Sequence, residues 1–343
     1  MPTALLTGAT GLIGGEICRL LLDRGWDVRA LVRRDAPICG NDGQMLASSA
    51  LTRVAGDIGQ PACGLDRAMQ DRLERDVDLV LHCAASTAFN ASEEHHHRTN
   101  VAGTAHMLEL CGRSPFLYVS TAYVCGQIDG PVAELACPPN SEFANGYERS
   151  KARAEALVEQ SGRPWLIARP AIVVGAAADG RIRRFDSIYS AFKLLAEGRV
   201  KAIPATANAS LGFVPIDHVA LALAALAGRY QNFDDQHVHI CPSQPLAVAD
   251  FVAAIGSYPR LTAPRLAAPA DFDEEQLPRM EKMLLGRMLK PYLPYFQRNP
   301  QFATGRLERI TGLQSPVVDQ AFLHTLIGFA VAAGFLRTPL AQP

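Results

Sequence analysis

Charge of either sign is not in surplus in this 343-residue sequence: 33 lysines and arginines face 34 aspartates and glutamates, for a formal net charge of -1. No basic stripe is available to neutralise a nucleic-acid backbone, and no run of like charge is long enough to serve as an interaction tail. Apolar runs are also short of the roughly 18 residues that a membrane-spanning helix needs. The longest late one, residues 322–336, contains His324 and Thr325 and predicts a buried helix, with peripheral membrane contact as the lesser alternative. Cysteine pairing motifs are missing as well. The eight cysteines are scattered without a CxxC pair or metal-ligand spacing, the pattern of reduced, buried thiols in a cytoplasmic protein. The first residues lack the basic segment, apolar core and small-residue cleavage site of a secretory signal. No internal repeat or low-complexity tract is visible.

What is present is alternation. Short apolar strands at about residues 3–7, 28–32, 51–58, 77–85, 116–124 and 164–175 are separated by helical patterns, the clearest at about 92–111 and 147–160. This predicts an α/β fold, a doubly wound parallel sheet covered on both faces. After Gly175 the pattern loosens, returns to strand-then-helix at "LGFVPIDHVALALAALAG", and gives a last short strand at "HVHICPS". Beyond about residue 244 the chain reads as helical and proline-rich. The expected organisation is a nucleotide-binding domain over residues 1–175 plus about 211–243, and a smaller, partly discontinuous, mainly helical substrate domain over about 176–210 plus 244–343.

The glycines of "TGATGLIGG", Gly8, Gly11 and Gly14, stand at GxxGxxG spacing between the first strand and an apolar helix. That context is what a dinucleotide-binding turn requires: one glycine for the tight turn, one for backbone approach to the pyrophosphate, one for close helix packing. The second strand ends "LVRR" without an acid that could accept from a ribose 2'-hydroxyl. Arg33 and Arg34 suit a 2'-phosphate, which points to NADPH; the alternative is that they merely cap the strand in solvent.

Tyr147 and Lys151 in "NGYERSKARAE" are four residues apart, on one helical face. With "GDI", "HCAAS", "TNVAGT", "STAYV" and "RPAIVVG", in that order over roughly residues 3–220, these motifs resemble the extended short-chain dehydrogenase/reductases (SDRs), with a Rossmann-type fold. "HCAASTAFN", "VSTAYVCG" and "FVPIDHVA" resemble more particularly the branch of fatty acyl-CoA reductases and thioester-reductase domains, the male-sterility-type NAD-binding branch. That resemblance implies reduction of an acyl thioester to an aldehyde, which some members carry on to the alcohol. It also implies a catalytic set of Thr121, Tyr147, Lys151 and Asn100, with Lys151 on the nicotinamide ribose and Asn100 in support of the lysine. Thr121 is preferred to its neighbour Ser120 as the second donor to the oxyanion. Cofactor contacts are implied at Thr10, Gly11, Leu12 and Ile13 for the diphosphate, Asp57 and Ile58 around the adenine, Ala84 and Ala85 beneath the dinucleotide, and Pro170, Ile172 and Val173 against the nicotinamide.

The chemistry follows from residue types. Hydride transfer to a carbonyl leaves charge on oxygen, so a proton donor must lie within hydrogen-bond reach; Tyr147 fits, with the Lys151 ammonium expected to draw its pKa down from near 10. Reduction of a thioester gives a thiohemiacetal that collapses to aldehyde and thiol without an enzyme nucleophile, so Cys83 and Cys125 are read as packing residues. Three consecutive helical histidines, His95 to His97, point about 100° apart and cannot converge on one ion; they are read as a surface helix, with no metal expected. "ADFDEEQ" near Asp271 is read as a solvated acidic helix start. Residues 188–195 are open to reading as acyl pocket or as core. The sequence shows no carrier or adenylation domain, so a protein-bound acyl thioester is expected to arrive from a separate partner, coenzyme A being the small-molecule alternative. A ketone or aldehyde reductase using the same residues is the rival enzyme, and a non-catalytic NADP(H) sensor or scaffold the rival of another class.

Overall fold

The computed structural model describes residues 1–186, 188–259 and 261–336; the last residues of the expected second domain, 337–343, lie outside them. Its centre is a seven-stranded, all-parallel sheet in the order Gln236–Ile240, Trp165–Pro170, Phe116–Val119, Leu79–His82, Thr3–Thr7, Asp27–Val32, Leu51–Ala55. The strands Thr3–Thr7, Leu79–His82 and Phe116–Val119 are buried along their whole length, which explains their near-continuous apolar sequence. Only the edge strand Leu51–Ala55 exposes polar residues, Thr52 and Arg53.

Strand alternation sorts side chains between two cores. Ala4 and Leu6 join Ile17, Leu21, Val219 and Leu223, beneath the helices Leu12–Asp23 and Ile216–Ala227. Leu5 points the other way, toward Met107, Phe116, Ala154 and Val158. The strand order reverses between Thr3–Thr7 and Leu79–His82. In open α/β sheets a ligand crevice forms at that switch point, outside the carboxyl ends of the strands.

Two helices carry most of the site. Gly146–Glu159 starts at Asn145, whose side chain accepts from the Glu148 N–H at 3.0 Å, an N-cap that fixes the first turn. The segment predicted as one helix over about 92–111 is Glu93–His96 and Gly103–Glu109, joined by a π-helical turn His97–Ala102. Beyond residue 244 the chain is not simply helical. Leu246–Ala247, Arg265–Ala267 and Pro300–Phe302 pair with Ser210–Leu211, Ala202–Pro204 and Gly130–Val132. Strands of two or three residues are too short to show a period-two pattern. "ADFDEEQ" forms exposed 3-10 turns, Pro269–Asp271 and Glu274–Gln276, and the helix starts only at Arg279. Residues 320–332 form the expected helix, with Phe322, Leu323, Leu326 and Ile327 buried. Among the described residues, no helix is long and apolar enough to cross a membrane.

Candidate active site

The glycine turn is built by steric necessity. Gly8 has φ +75°, and a Cβ there would lie 2.8 Å from the Ala84 nitrogen. A Cβ on Gly14 would lie 2.1 Å from the Gly8 carbonyl oxygen, so only glycine lets the helix Leu12–Asp23 sit this close to the turn. No side chain caps that helix. Its first N–H groups and positive dipole end therefore face the crevice, the arrangement that receives a pyrophosphate.

The turn is held from two sides. Thr7 Oγ1 accepts from the Cys83 and Ala84 N–H groups at 3.1 and 3.0 Å and lies 2.8 Å from His82 Nδ1. Burial holds His82 at about 3, hence neutral. On the other side, Arg183 donates to the carbonyls of Gly11 (2.9 Å) and Thr10 (3.3 Å), strapping residues 181–183 across the turn.

A cavity of about 710 Å³ opens here, within the range of small-molecule and cofactor sites. Gly8, Thr10, Gly11, Leu12, Ile13 and Gly14 form its floor; Arg33, Asp57 and Ile58 one end; Ala84, Ala85, Pro170, Ile172 and Val173 the middle. Asp57 Oδ1 accepts from the Gly59 N–H at 2.9 Å, shaping the loop after the third strand. Arg33 and Arg34 are both exposed, and Arg33 lines the cavity. Arg98 and Arg184, which sequence reasoning did not single out, line the cavity as further cations.

At the far end stand Thr121 and Tyr147. Thr121 lies near enough to Tyr147 to favour its ionisation, and the Tyr147 ring stacks on Phe89 with centroids 5.6 Å apart. Ser120 also lines the cavity, but its hydroxyl is buried without a partner. Phe89, Tyr292 and Tyr295 continue this wall as an aromatic cluster with centroids 5.0 and 5.8 Å apart. Of residues 188–195, Ile188 and Tyr189 line the cavity, whereas Ala191, Phe192, Leu194 and Leu195 are core.

One expectation about the lysine, that its ammonium draws the Tyr147 pKa down, is corrected. Lys151 is 1% exposed; its ammonium donates to the Val119 carbonyl at 2.7 Å and sits 4.0 Å from the Tyr118 ring centroid, behind the cavity wall. Burial brings Lys151 down to about 7, so near neutrality it is not a fixed cation that could depress Tyr147. Tyr147 is instead pushed up, first by burial and then by Glu148 and Cys83, with Thr121 opposing. Asn100 does not reach the lysine directly. Its amide brackets the Ser86 backbone, accepting from N–H at 2.7 Å and donating to C=O at 3.1 Å, and donates to Ser150 Oγ at 2.8 Å. It ties the loop after the fourth strand to the residue before Lys151.

The histidine run is likewise not all surface. His96 is 1% exposed, its ring against Gly146, where a Cβ would come within 3.1 Å. That contact explains the glycine just before Tyr147. The cysteines are all free; burial raises Cys83 to about 11 and Cys125 to about 12, leaving both as thiols. Among the described residues Glu155, Glu159 and His237 have ligand atoms close enough to share an ion. Both oxygens of Glu155, however, are occupied by the Arg169 guanidinium, at 2.9 and 2.7 Å.

An NAD-binding family described as male sterility protein matches residues 6–223. The hybrid PKS-NRPS synthetase pydA of an Acremonium species is 31% identical over 242 residues, 66% of this chain but 5% of that protein, so the chain spans a small fraction of that relative's length. Among solved structures, the terminal R domain from the myxalamid PKS-NRPS biosynthetic pathway superposes with a TM-score of 0.81 at 24% identity, over 99% of this chain and 93% of that one. A thiolation-reductase di-domain from an archaeal non-ribosomal peptide synthetase gives 0.75 at 18%, over 98% of this chain and 76% of that one. At these identities the structural likenesses establish the fold alone. With the glycine turn, the switch-point crevice and the Tyr147 cleft in place, the chain belongs to the male-sterility-type NAD-binding family, NAD(P)-dependent oxidoreductases of the extended SDR fold.

Proposed function

We propose that the protein is an NADPH-dependent reductase of an acyl thioester, releasing the aldehyde, with reduction on to the alcohol open to the same site. The observation that carries this reading is one continuous cavity, running from Arg33 across the glycine turn to Thr121, Tyr147 and an aromatic wall. Arg33 at the end of a strand without an acid supports a 2'-phosphate, hence NADPH. The matched synthetase, R domain and thiolation-reductase di-domain support an acyl group delivered on a carrier protein's thiol arm, with acyl-coenzyme A as the small-molecule equivalent.

NADPH, when bound, supplies the hydride. Everything else falls to this chain's residues. Tyr147, held protonated by burial, donates its proton to the oxygen on which charge develops. Thr121, beside it, gives that oxygen a second donor. Lys151, at about 7, exchanges a proton behind Tyr147 close to neutral pH, and Asn100 keeps its helix turn in register through Ser150. The tetrahedral product loses its thiol unaided, in keeping with Cys83 and Cys125 remaining protonated.

The test is NADPH oxidation by the purified protein against acyl thioesters, with matched ketones and aldehydes alongside. Thioester-dependent oxidation supports the proposal. Turnover of ketones alone would move the chain to the carbonyl reductases and leave the cofactor site standing. Tyr147→Phe tells enzyme from sensor: abolished turnover with retained NADPH binding is the expected result.

A further inference from the structure

Behind the aromatic wall lies a buried ion pair that the reaction as described does not use. Glu148, next in sequence to Tyr147, is fully buried, and Arg298, from the C-terminal region, is 4% exposed. Arg298 Nη2 donates to Glu148 Oε1 at 2.6 Å. The same carboxylate accepts from the Tyr295 hydroxyl at 2.6 Å and from the Ala144 N–H at 3.0 Å. Arg298 Nη1 donates to the Gly126 carbonyl at 2.9 Å. Gly126 closes the 3-10 turn Ala122–Cys125 that begins at Thr121. The guanidinium also lies 4.6 and 4.4 Å from the ring centroids of Tyr123 and Tyr295. One cation therefore grips the end of the turn carrying Thr121 and the carboxylate adjoining Tyr147.

We infer that Arg298 is a positioning residue for the proton-donor pair: it fixes Thr121 relative to Tyr147 through Gly126 and Glu148, and it neutralises the carboxylate that faces the Tyr147 phenol. The inference rests on Tyr147 as the proton donor. The groups that act on Tyr147 are Glu148 on its own helix, Cys83 after the fourth strand, Tyr118 on the fifth and Thr121 after it, with Tyr295 and Arg298 behind Glu148. After burial, Glu148 and Cys83 oppose ionisation of Tyr147 and Thr121 favours it. A purely architectural role for Arg298 is poorly matched to its surroundings, because the backbone around it is tied down independently. The Ser210 N–H donates to the Arg298 carbonyl at 3.1 Å, the Asn299 N–H to Asp129 at 2.6 Å, and Pro300–Phe302 pairs with Gly130–Val132.

The experiment compares Glu148→Gln, Arg298→Lys, Arg298→Met and the double variant E148Q/R298M in the full chain, reading kcat, KM, NADPH affinity and the pH profile of reduction with a thioester that the wild type turns over. Removing the Glu148 charge eases ionisation of Tyr147, so the alkaline limb of the E148Q profile moves to lower pH. R298M lowers kcat by about tenfold or more, because a small misplacement of donors is expensive, while NADPH affinity is unchanged and R298K recovers most of the rate. The double variant is no slower than R298M, since the two residues act through one contact. An E148Q profile that does not move, or single effects that multiply in the double variant, would overturn the assignment. Should R298M not fold, E148Q and R298K decide by their profiles alone. Tyr147→Phe in the same assay separates the two levels: retained turnover sinks the proton-donor reading itself, whereas lost turnover with an unmoved E148Q profile sinks only the role of Arg298.

Discussion

Lys151 is the residue where function and stability pull apart. Its folded-state pKa of about 7 lies below that of an unfolded lysine, near 10.4, so between those values the unfolded chain binds the extra proton. Stability contributed by this group therefore rises with pH across that window and is lost as pH falls toward 7. Lys151→Met is expected to melt higher than wild type at pH 7, by upwards of about 1 kcal/mol, with the advantage shrinking by pH 10 and turnover lost; thermal melts at the two pH values check it. Arg33→Ala is expected to weaken NADPH about tenfold or more and to leave NADH almost unchanged. Arg34→Ala is expected to do neither, which paired titrations with the two nucleotides decide. Gly8→Ala forces a positive φ and a Cβ against the Ala84 nitrogen; cofactor binding is lost and stability falls by about 1–3 kcal/mol. The glycine turn, Arg33 and the Tyr147/Lys151 spacing were legible because each is a local pattern. His96 under Gly146 and Arg298 under Glu148 were not, because their partners lie 50 and 150 residues away along the chain.

At the scale of elements, the helix Gly146–Glu159 is where the cofactor sheet and the C-terminal region meet. Its inner end is fastened to the strand Trp165–Pro170 by the bidentate Glu155–Arg169 pair, with the two side chains 1% and 3% exposed. Cutting such a pair leaves a buried charge behind, so Arg169→Met is expected to cost about 3–5 kcal/mol, while E155Q/R169M recovers part of the loss; denaturant unfolding of the single and double variants measures both. Alternation of apolar strands and amphipathic helices carried the sheet, its order apart, straight from the sequence. The π-helical turn His97–Ala102 left no such mark. It arises where Asn100 must reach both Ser86 and Ser150, a demand set by tertiary neighbours, and π turns commonly sit at functional sites.

In the whole molecule, the site lies where three parts converge: the glycine turn at the switch point, the strap of residues 181–183 over it, and the aromatic segment 292–295 opposite Tyr147. The sequence foretold the glycine turn between strand and helix, though not its place at the switch point. It placed the others only within an idiosyncratic C-terminal half, since short strand pairs and long-range ion pairs carry no periodic signal. The central claim is that the substrate carbonyl belongs to a thioester. The most direct test follows free thiol and aldehyde released per NADPH oxidised, with a pantetheine-linked acyl thioester as substrate. The account predicts one thiol for each NADPH consumed in the first reduction, and none with Tyr147→Phe. NADPH oxidation that releases no thiol, or that proceeds only with ketones, would contradict it.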